Sequence, residues 1–337
     1  MNLPVLLRTI GWMVLDTLRQ SLASRLFWIT FGMSVLVILF CLSVRASDFE
    51  RLPTSPNEDQ FGIPIYSDVG KKLSEQELRE LGLDPLGKDR LSLGFGLMEI
   101  RTARGKQDSV RFVQVWLAGL VAGTVGIFLA IIWTAGFLPS FLEPTQATVL
   151  LAKPIPRWAL LLGKVLGVLL FALIQTVIFV MGTWLALGFS TGVFDARYFW
   201  AIPVLLLHFT VFYSFSAMIA VWTRSTVVCV FATLIFWVIC WGMNFARHSV
   251  VVHNPQGLTS LSRGAVEVGY WCLPKPADMN MIFDETLETQ GFAAEVPEFR
   301  NALSEGKISL GWSAVASLLF AGAMFLVAAV ELRKADY

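Results

Sequence analysis

The sequence predicts an all-α polytopic membrane protein with six transmembrane helices, an N-terminal interfacial helix and a small extracytoplasmic α+β insertion between spans 1 and 2. Three observations predict it. Of 337 residues, 55% are hydrophobic and only 15% charged, against about 25% charged in an ordinary soluble domain. Mean hydropathy is +0.65. The charges are also unevenly spread: runs free of Asp, Glu, Lys and Arg cover 26–44, 112–142, 165–194, 198–223, 225–246 and 308–330, 151 residues in all. The shortest has 19 residues, and about 20 apolar residues rising ~1.5 Å each cross a hydrocarbon layer of about 30 Å. Helices are the solution, because an open strand leaves backbone groups unpaired in lipid. A soluble enzyme, a disordered chain and a disulfide-built chain are excluded.

Residues 1–25 come first. Leu6, Leu7, Ile10, Val14, Leu18 and Leu22 recur on one helical face, with Arg8, Asp16, Arg19 and Gln20 largely opposite. That pattern predicts a helix lying in the interface, with Trp12 as a boundary anchor. The apolar run after Arg25 is longer than the core of a signal peptide, so span 1 is placed at 26–44 and expected to be retained. The remaining spans are placed at 114–138, 165–188, 199–222, 226–246 and 309–330, with a tail at 331–337.

Two long polar segments join them. In residues 46–112, turn formers at Pro53, Pro56 and Pro64 precede a charged helix candidate from Ser74 to Leu83. Leu91 to Ile100 and Ser109 to Val113 then bracket Ala103-Arg104-Gly105-Lys106, which predicts a β-hairpin between those stretches. Residues 248–308 mix prolines with apolar pieces such as Val266 to Leu273, and short helices dipping into the interface are expected there.

Orientation follows from Lys and Arg, which are retained on the cytoplasmic side. The face with both termini holds nine basic residues against four acidic ones, or +5, and the other face holds the remaining 17 against 21, or −4. Both termini are therefore expected to be cytoplasmic. The net charge of +1 argues against nucleic acid as a partner; the lipid bilayer is the evident one.

Motifs for chemistry are missing from the sequence. At Gly163-Lys164 the next residue is Val165 and the residue five before the glycine is Trp158, so the phosphate-binding pattern fails twice. Three histidines, His208, His248 and His253, and four cysteines give no metal-ligand spacing. Neither Asp195 with Arg197 nor His248 with His253 makes a catalytic constellation. No catalytic, cofactor-binding or metal-binding residue is assigned. Inside the spans the polar side chains are Gln175, His208 and Asn244, expected to be intramembrane contacts, with His208 neutral and bonded to a neighbouring helix. The pairs Gly119 and Gly123, and Gly163 and Gly167, permit close helix approach.

The connection at 139–164 is the most informative segment. A short helix from Thr145 to Ala152, stopped before Pro154, would lie at the membrane surface, with Arg157 and Lys164 at headgroup level. Glu143, Thr148, Leu150, Leu151, Pro154, Arg157, Gly163 and Lys164 fall where type-2 ABC exporter permeases carry Glu, Thr-x-x-x-Leu-Leu and Pro-x-x-Arg-x-x-x-x-x-Gly-Lys. The Thr-to-Leu interval is shorter here, and Ala147 stands where Gly is usual. With six spans, an amphipathic entry helix and the basic tail from Leu332 to Tyr337, the chain resembles that family, the ABC-2-type transporters, over most of its length.

The resemblance implies a permease of the bacterial-type cytoplasmic (inner) membrane that pairs with a second permease copy or a paralogue. It implies an ABC-type ATPase subunit that holds the ATP, with no cofactor on this chain. Glu143, Thr148, Leu151, Lys153, Pro154, Arg157 and Trp158 then form the ATPase-coupling loop. A rival reading is a membrane-anchored scaffold or sensor whose outer domain, 46–112, binds a partner; a docking-like loop at 143–164 would then have no role.

Overall fold

A computed structural model describes residues 3–48, 89–102, 106–142, 156–253, 259–287, 306 and 308–334. Within them the protein is an integral membrane bundle. Five helices are long and apolar enough to cross a membrane, and a bent pair at the N-terminus makes a sixth when taken as one span.

That pair is α1 (Leu3–Ala23) and α2 (Arg25–Leu42), meeting at a 69° bend. Ser24 sits at the bend, and the Trp133 indole donates to its Oγ at 2.9 Å. α1 buries Met13, Thr17 and Ser21 and leaves Leu7, Trp12 and Leu22 exposed.

The chain then forms a three-stranded antiparallel sheet of β1 (Arg45–Asp48), β2 (Asp89–Leu93) and β3 (Met98–Thr102), in that order. The expected hairpin between Leu91–Ile100 and Ser109–Val113 does not form. Its turn lies inside the first stretch, with Leu93 opposite Met98. Gly94, Phe95 and Gly96 all take positive φ there, 63°, 58° and 95°, a conformation glycine adopts without cost. Ser109 to Val113 are helical instead, in α3 (Lys106–Trp116). The Ser74–Leu83 helix candidate lies outside the described residues.

Span 2 is continuous helix from Lys106 to Phe141, longer than 114–138, and it changes winding on the way. After α3 comes a π-helical segment, Leu117–Gly126, then α4 (Ile127–Thr134) and a short α5 (Phe137–Phe141). At the junction the Ile127 N–H bonds the Ala122 carbonyl five residues back. Gly123 permits the wide turn, since a Cβ there would sit 2.9 Å from the Ala118 carbonyl oxygen.

Span 3 is α6 (Arg157–Thr191), ended by Gly192 at φ 75°. A 3-10 turn, Ala196–Trp200, leads into span 4, α7 (Ala201–Thr223), which Arg224 ends in the left-handed region. Span 5 is α8 (Thr226–His253), and span 6 is α11 (Leu310–Lys334). α6, α8 and α11 each run past one end of their charge-free stretches, because charges mark where hydrocarbon ends while the helix continues through the headgroups.

Between spans 5 and 6 lie α9 (Ser260–Cys272) and α10 (Pro276–Thr286). Pro276 opens α10 at a position where its missing N–H costs nothing. α10 folds back into the bundle. Met279 is buried with Val211 of span 4 and Ala321 of span 6, and Asn280 Oδ1 would lie 3.3 Å from a Cβ on Gly123. Gly119 and Gly123 thus serve a re-entering helix, whereas Gly163 and Gly167 serve α1. Added Cβ atoms at the latter pair would fall 2.7 Å from Met13 Cβ and 2.6 Å from Thr17 Cβ.

Candidate functional site

The terminal face gathers α1, the start of α6 and the end of α11. Of the proposed coupling residues, Glu143, Thr148, Leu151, Lys153 and Pro154 lie outside the described residues. Arg157 and Trp158 open α6. Trp158 is 46% exposed. Arg157 Nη1 donates to the carbonyls of Leu332 and Arg333 at 3.3 and 3.4 Å. Those carbonyls belong to the last turn of α11, where backbone acceptors lack helical partners and the helix dipole is negative. Arg157 therefore holds the end of span 6, a contact that the loop's sequence pattern does not reveal.

Two turns further along α6, Lys164 is only 3% exposed. Its Nζ donates to Gln20 Oε1 at 2.9 Å and pairs with Asp16 Oδ2 at 3.3 Å, and Gln20 Nε2 donates to the same Asp16 oxygen at 3.0 Å. A buried ammonium needs such partners. The contact is possible because Gly163 and Gly167 bring the two helices together. The stretch leaving the 143–155 connection is thereby tied to α1 and to span 6 at once.

Of the three intramembrane polar residues, Gln175 donates to Ser34 Oγ of α2 at 2.9 Å. Asn244 donates to Asp278 Oδ1 at 3.2 Å. His208 departs from expectation. It is 1% exposed beside Phe212, with 5.4 Å between ring centroids, and neither ring nitrogen has a hydrogen-bond partner among the described residues. Its i+4 neighbour is aromatic and its surroundings are apolar, so the helix-to-helix bond expected of it is not made.

At the opposite end of the bundle lies a cluster that the sequence reading missed. Asp278 of α10 is fully buried. Tyr270 and Ser313 each donate a hydroxyl to its Oδ2 at 2.5 Å, while Asn244 and His248 reach Oδ1 at 3.2 and 2.8 Å. Burial alone would raise the Asp278 pKa, but the bonds from His248, Ser313 and Tyr270 outweigh it and hold the carboxyl below its ordinary range. Lys275, also fully buried, sits 4.8 Å from the Tyr270 ring centroid and 5.1 Å from that of Trp271. Burial lowers its pKa to about 8 despite the attraction of Asp278. Arg247 grips Glu267 through two bonds at 3.1 and 3.3 Å and lies 4.1 Å over the Tyr270 ring. Burial opposes ionisation of Glu267, yet the bonds from Arg247 and Trp271 lower its pKa overall.

The cluster binds α8, α9, α10 and α11 into one unit. The visible signal was Lys275-Pro276-Ala277-Asp278, a proline-started helix with an acid in its first turn. Its partners come from residues 244 to 313, and no periodicity links them.

A bundle of five long apolar helices with a bent N-terminal pair and a long re-entering connection before the last helix is the setting for the sequence comparison. A family model described as "ABC-2 family transporter protein" matches residues 13–263. The chain belongs to the ABC-2 transporter family. The match starts inside α1 and runs into α9, so it contains five spans and the connection at 139–164. No curated protein matches the chain. An ABC-2 family protein is a membrane component of transport and not itself the catalytic subunit.

Proposed function

We propose that this ABC-2 chain is the transmembrane permease subunit of an ATP-driven exporter. It pairs with a second copy or a paralogue to form the translocation path, and a separate ABC-type ATPase drives it through residues 143–164. Both termini then face the cytoplasm, and the membrane is a bacterial-type inner membrane. ATP is bound and hydrolysed on the partner.

The observation that carries this reading is the double attachment at the start of α6. A push on the connection ending at Pro156 reaches span 3 directly, span 6 through Arg157 and Leu332, and α1 through Lys164 and Asp16. A conformational switch needs an element whose two positions bind a partner differently, and a loop anchored to three helices moves them together. Trp158, exposed beside that anchor, supplies an apolar contact for the ATPase.

Co-expression with a candidate ABC-type ATPase tests it. The two are expected to copurify, and the permease to stimulate ATP hydrolysis. Trp158→Glu should reduce both without unfolding the bundle. Full copurification and unchanged stimulation in that variant would remove the coupling assignment.

A further inference from the structure

The turn between β2 and β3 carries two apolar side chains in the open. Phe95 is 81% exposed and Leu97 is 89% exposed. The turn itself does not ask for them. Phe95 stands at φ 58°, where Gly, Asn or Asp is accommodated at less cost than a bulky side chain, and turns in water favour those small polar residues. Adjacent exposed apolar groups of this kind mark a contact surface.

The place of the turn says what that surface meets. The Gly94 N–H donates to Ser43 Oγ at 3.0 Å, and Ser43 directly follows Leu42, the last residue of α2. The tip of the hairpin therefore lies beside the end of α2. That helix exposes Leu36, Leu39 and Leu42, and residues 26–44 hold no charge, so its open flank is a lipid-facing one. α6 ends at the same height, since the Ser190 hydroxyl donates to the Cys41 carbonyl at 3.2 Å. Phe189 and Phe194, on either side of that helix end, are exposed, as is Trp200 at the entry to α7. Aromatic side chains at helix ends mark the boundary between hydrocarbon and headgroups. Charge appears only behind the tip: residues 91–98 carry none, and Glu99 and then the Arg90–Arg101 pair follow along the strands.

We propose that this tip is a membrane anchor, with Phe95 and Leu97 inserted into the headgroup and upper acyl region of the leaflet beside α2. An apolar tip backed by charge is the polarity order of that boundary. The occupant is lipid because the tip shares its height with the uncharged flank of α2 and with the exposed aromatic residues around α6. The anchor holds the sheet against the bilayer surface.

The test uses the full chain in phosphatidylcholine nanodiscs. A phosphatidylcholine with a diazirine on its acyl chain is photolysed in the presence of the wild type, and the tryptic peptide 91–101, bounded by Arg90 and Arg101, should carry lipid adducts. Phe95→Asp combined with Leu97→Asp should abolish those adducts and leave the ones on α11 unchanged. Spin labels supply the depth. With the exposed Cys272 changed to Ser, the three remaining cysteines are buried. Labels at Phe95→Cys and Leu97→Cys should then collide more with oxygen than with a water-soluble nickel chelate. The same order is expected at Leu319→Cys on α11, which is 70% exposed, and the reverse at Asp108→Cys. Photolabelling of the wild type decides the matter should a variant fail to fold. An unlabelled wild-type peptide, adducts that survive the double Asp substitution, a water-like profile at either tip position, or a tip screened from both reagents by a covering protein would each overturn the proposal.

Discussion

The guanidinium of Arg157, at the first position of span 3, lies 3.3 Å from the main-chain oxygen of Leu332 near the last position of span 6. Residues 175 apart in sequence thus share one bond at the face where the chain begins and ends. Arg157 sits on the best-matched motif of the sequence, and its described role is to close another helix.

Replacing Arg157 by Ala should therefore loosen the end of α11. A charged hydrogen bond to a helix C-terminus contributes about 1–2 kcal/mol, and Arg157→Glu should cost more because it places a negative charge at the negative end of the dipole. Amide exchange over residues 328–334 should accelerate in both variants and stay unchanged in Trp158→Glu. Equal protection in all three would show that the contact carries no stability.

The approach of α1 to α6 rests on missing side chains. Gly167→Val would drive a Cβ to 2.6 Å from Thr17 Cβ, and the helices must part. Overpacking of this kind costs about 1–3 kcal/mol. A fall in Tm of the detergent-solubilised protein is expected, together with faster exchange throughout α1. An unchanged Tm would mean that α1 is not held by this face.

Asp278 gives an acid-side prediction. Its carboxyl has a lower pKa folded than unfolded, so its stabilisation is complete above the unfolded value, about 3.9. It is lost as pH falls through the folded value. Unfolding midpoints should therefore drop steeply below about pH 4, and Asp278→Asn should flatten that limb. Asp278→Ala leaves four donors without their acceptor and should cost about 3–5 kcal/mol. An acid limb identical in wild type and Asp278→Asn would contradict the assignment.

Lys275 gives the alkaline counterpart with the opposite sense. Its pKa falls on folding from 10.5 to about 8, so the unfolded chain binds more protons between those values. Stability should rise with pH across that window. The rise should vanish in Lys275→Met, which keeps the length and the contact with the Tyr270 and Trp271 rings. A flat wild-type profile from pH 8 to 10.5 would refute it.

The presence and order of the long apolar helices were legible because lipid punishes charge residue by residue, so charge-free stretches such as 26–44 or 225–246 are marked off by Arg25, Arg45, Arg224 and Arg247 alone. Helix ends were less legible: α6 starts eight residues before its predicted span, at Arg157, since a helix does not stop where hydrocarbon does. The hairpin was misplaced because Ala103-Arg104-Gly105-Lys106 has the composition of a turn, while Gly94-Phe95-Gly96 has the backbone freedom that a turn uses. Of the site residues, Gln175 and Asn244 bond across helices, while His208 has no hydrogen-bond partner among the described residues. The Asp278 cluster was invisible because its members are spaced by the path of α9 and α10, not by any repeat.

That cluster also orders the making of the protein. Asn244, His248 and Tyr270 precede Asp278 in the chain, but Ser313 lies on span 6 and is synthesised after all of them. Until that last helix arrives, the carboxylate has an open side and α10 has no wall at Ala321 to pack against. Insertion of span 6 is thus the event that completes the cluster, and a chain stopped before residue 309 would leave Asp278 without the Ser313 hydroxyl.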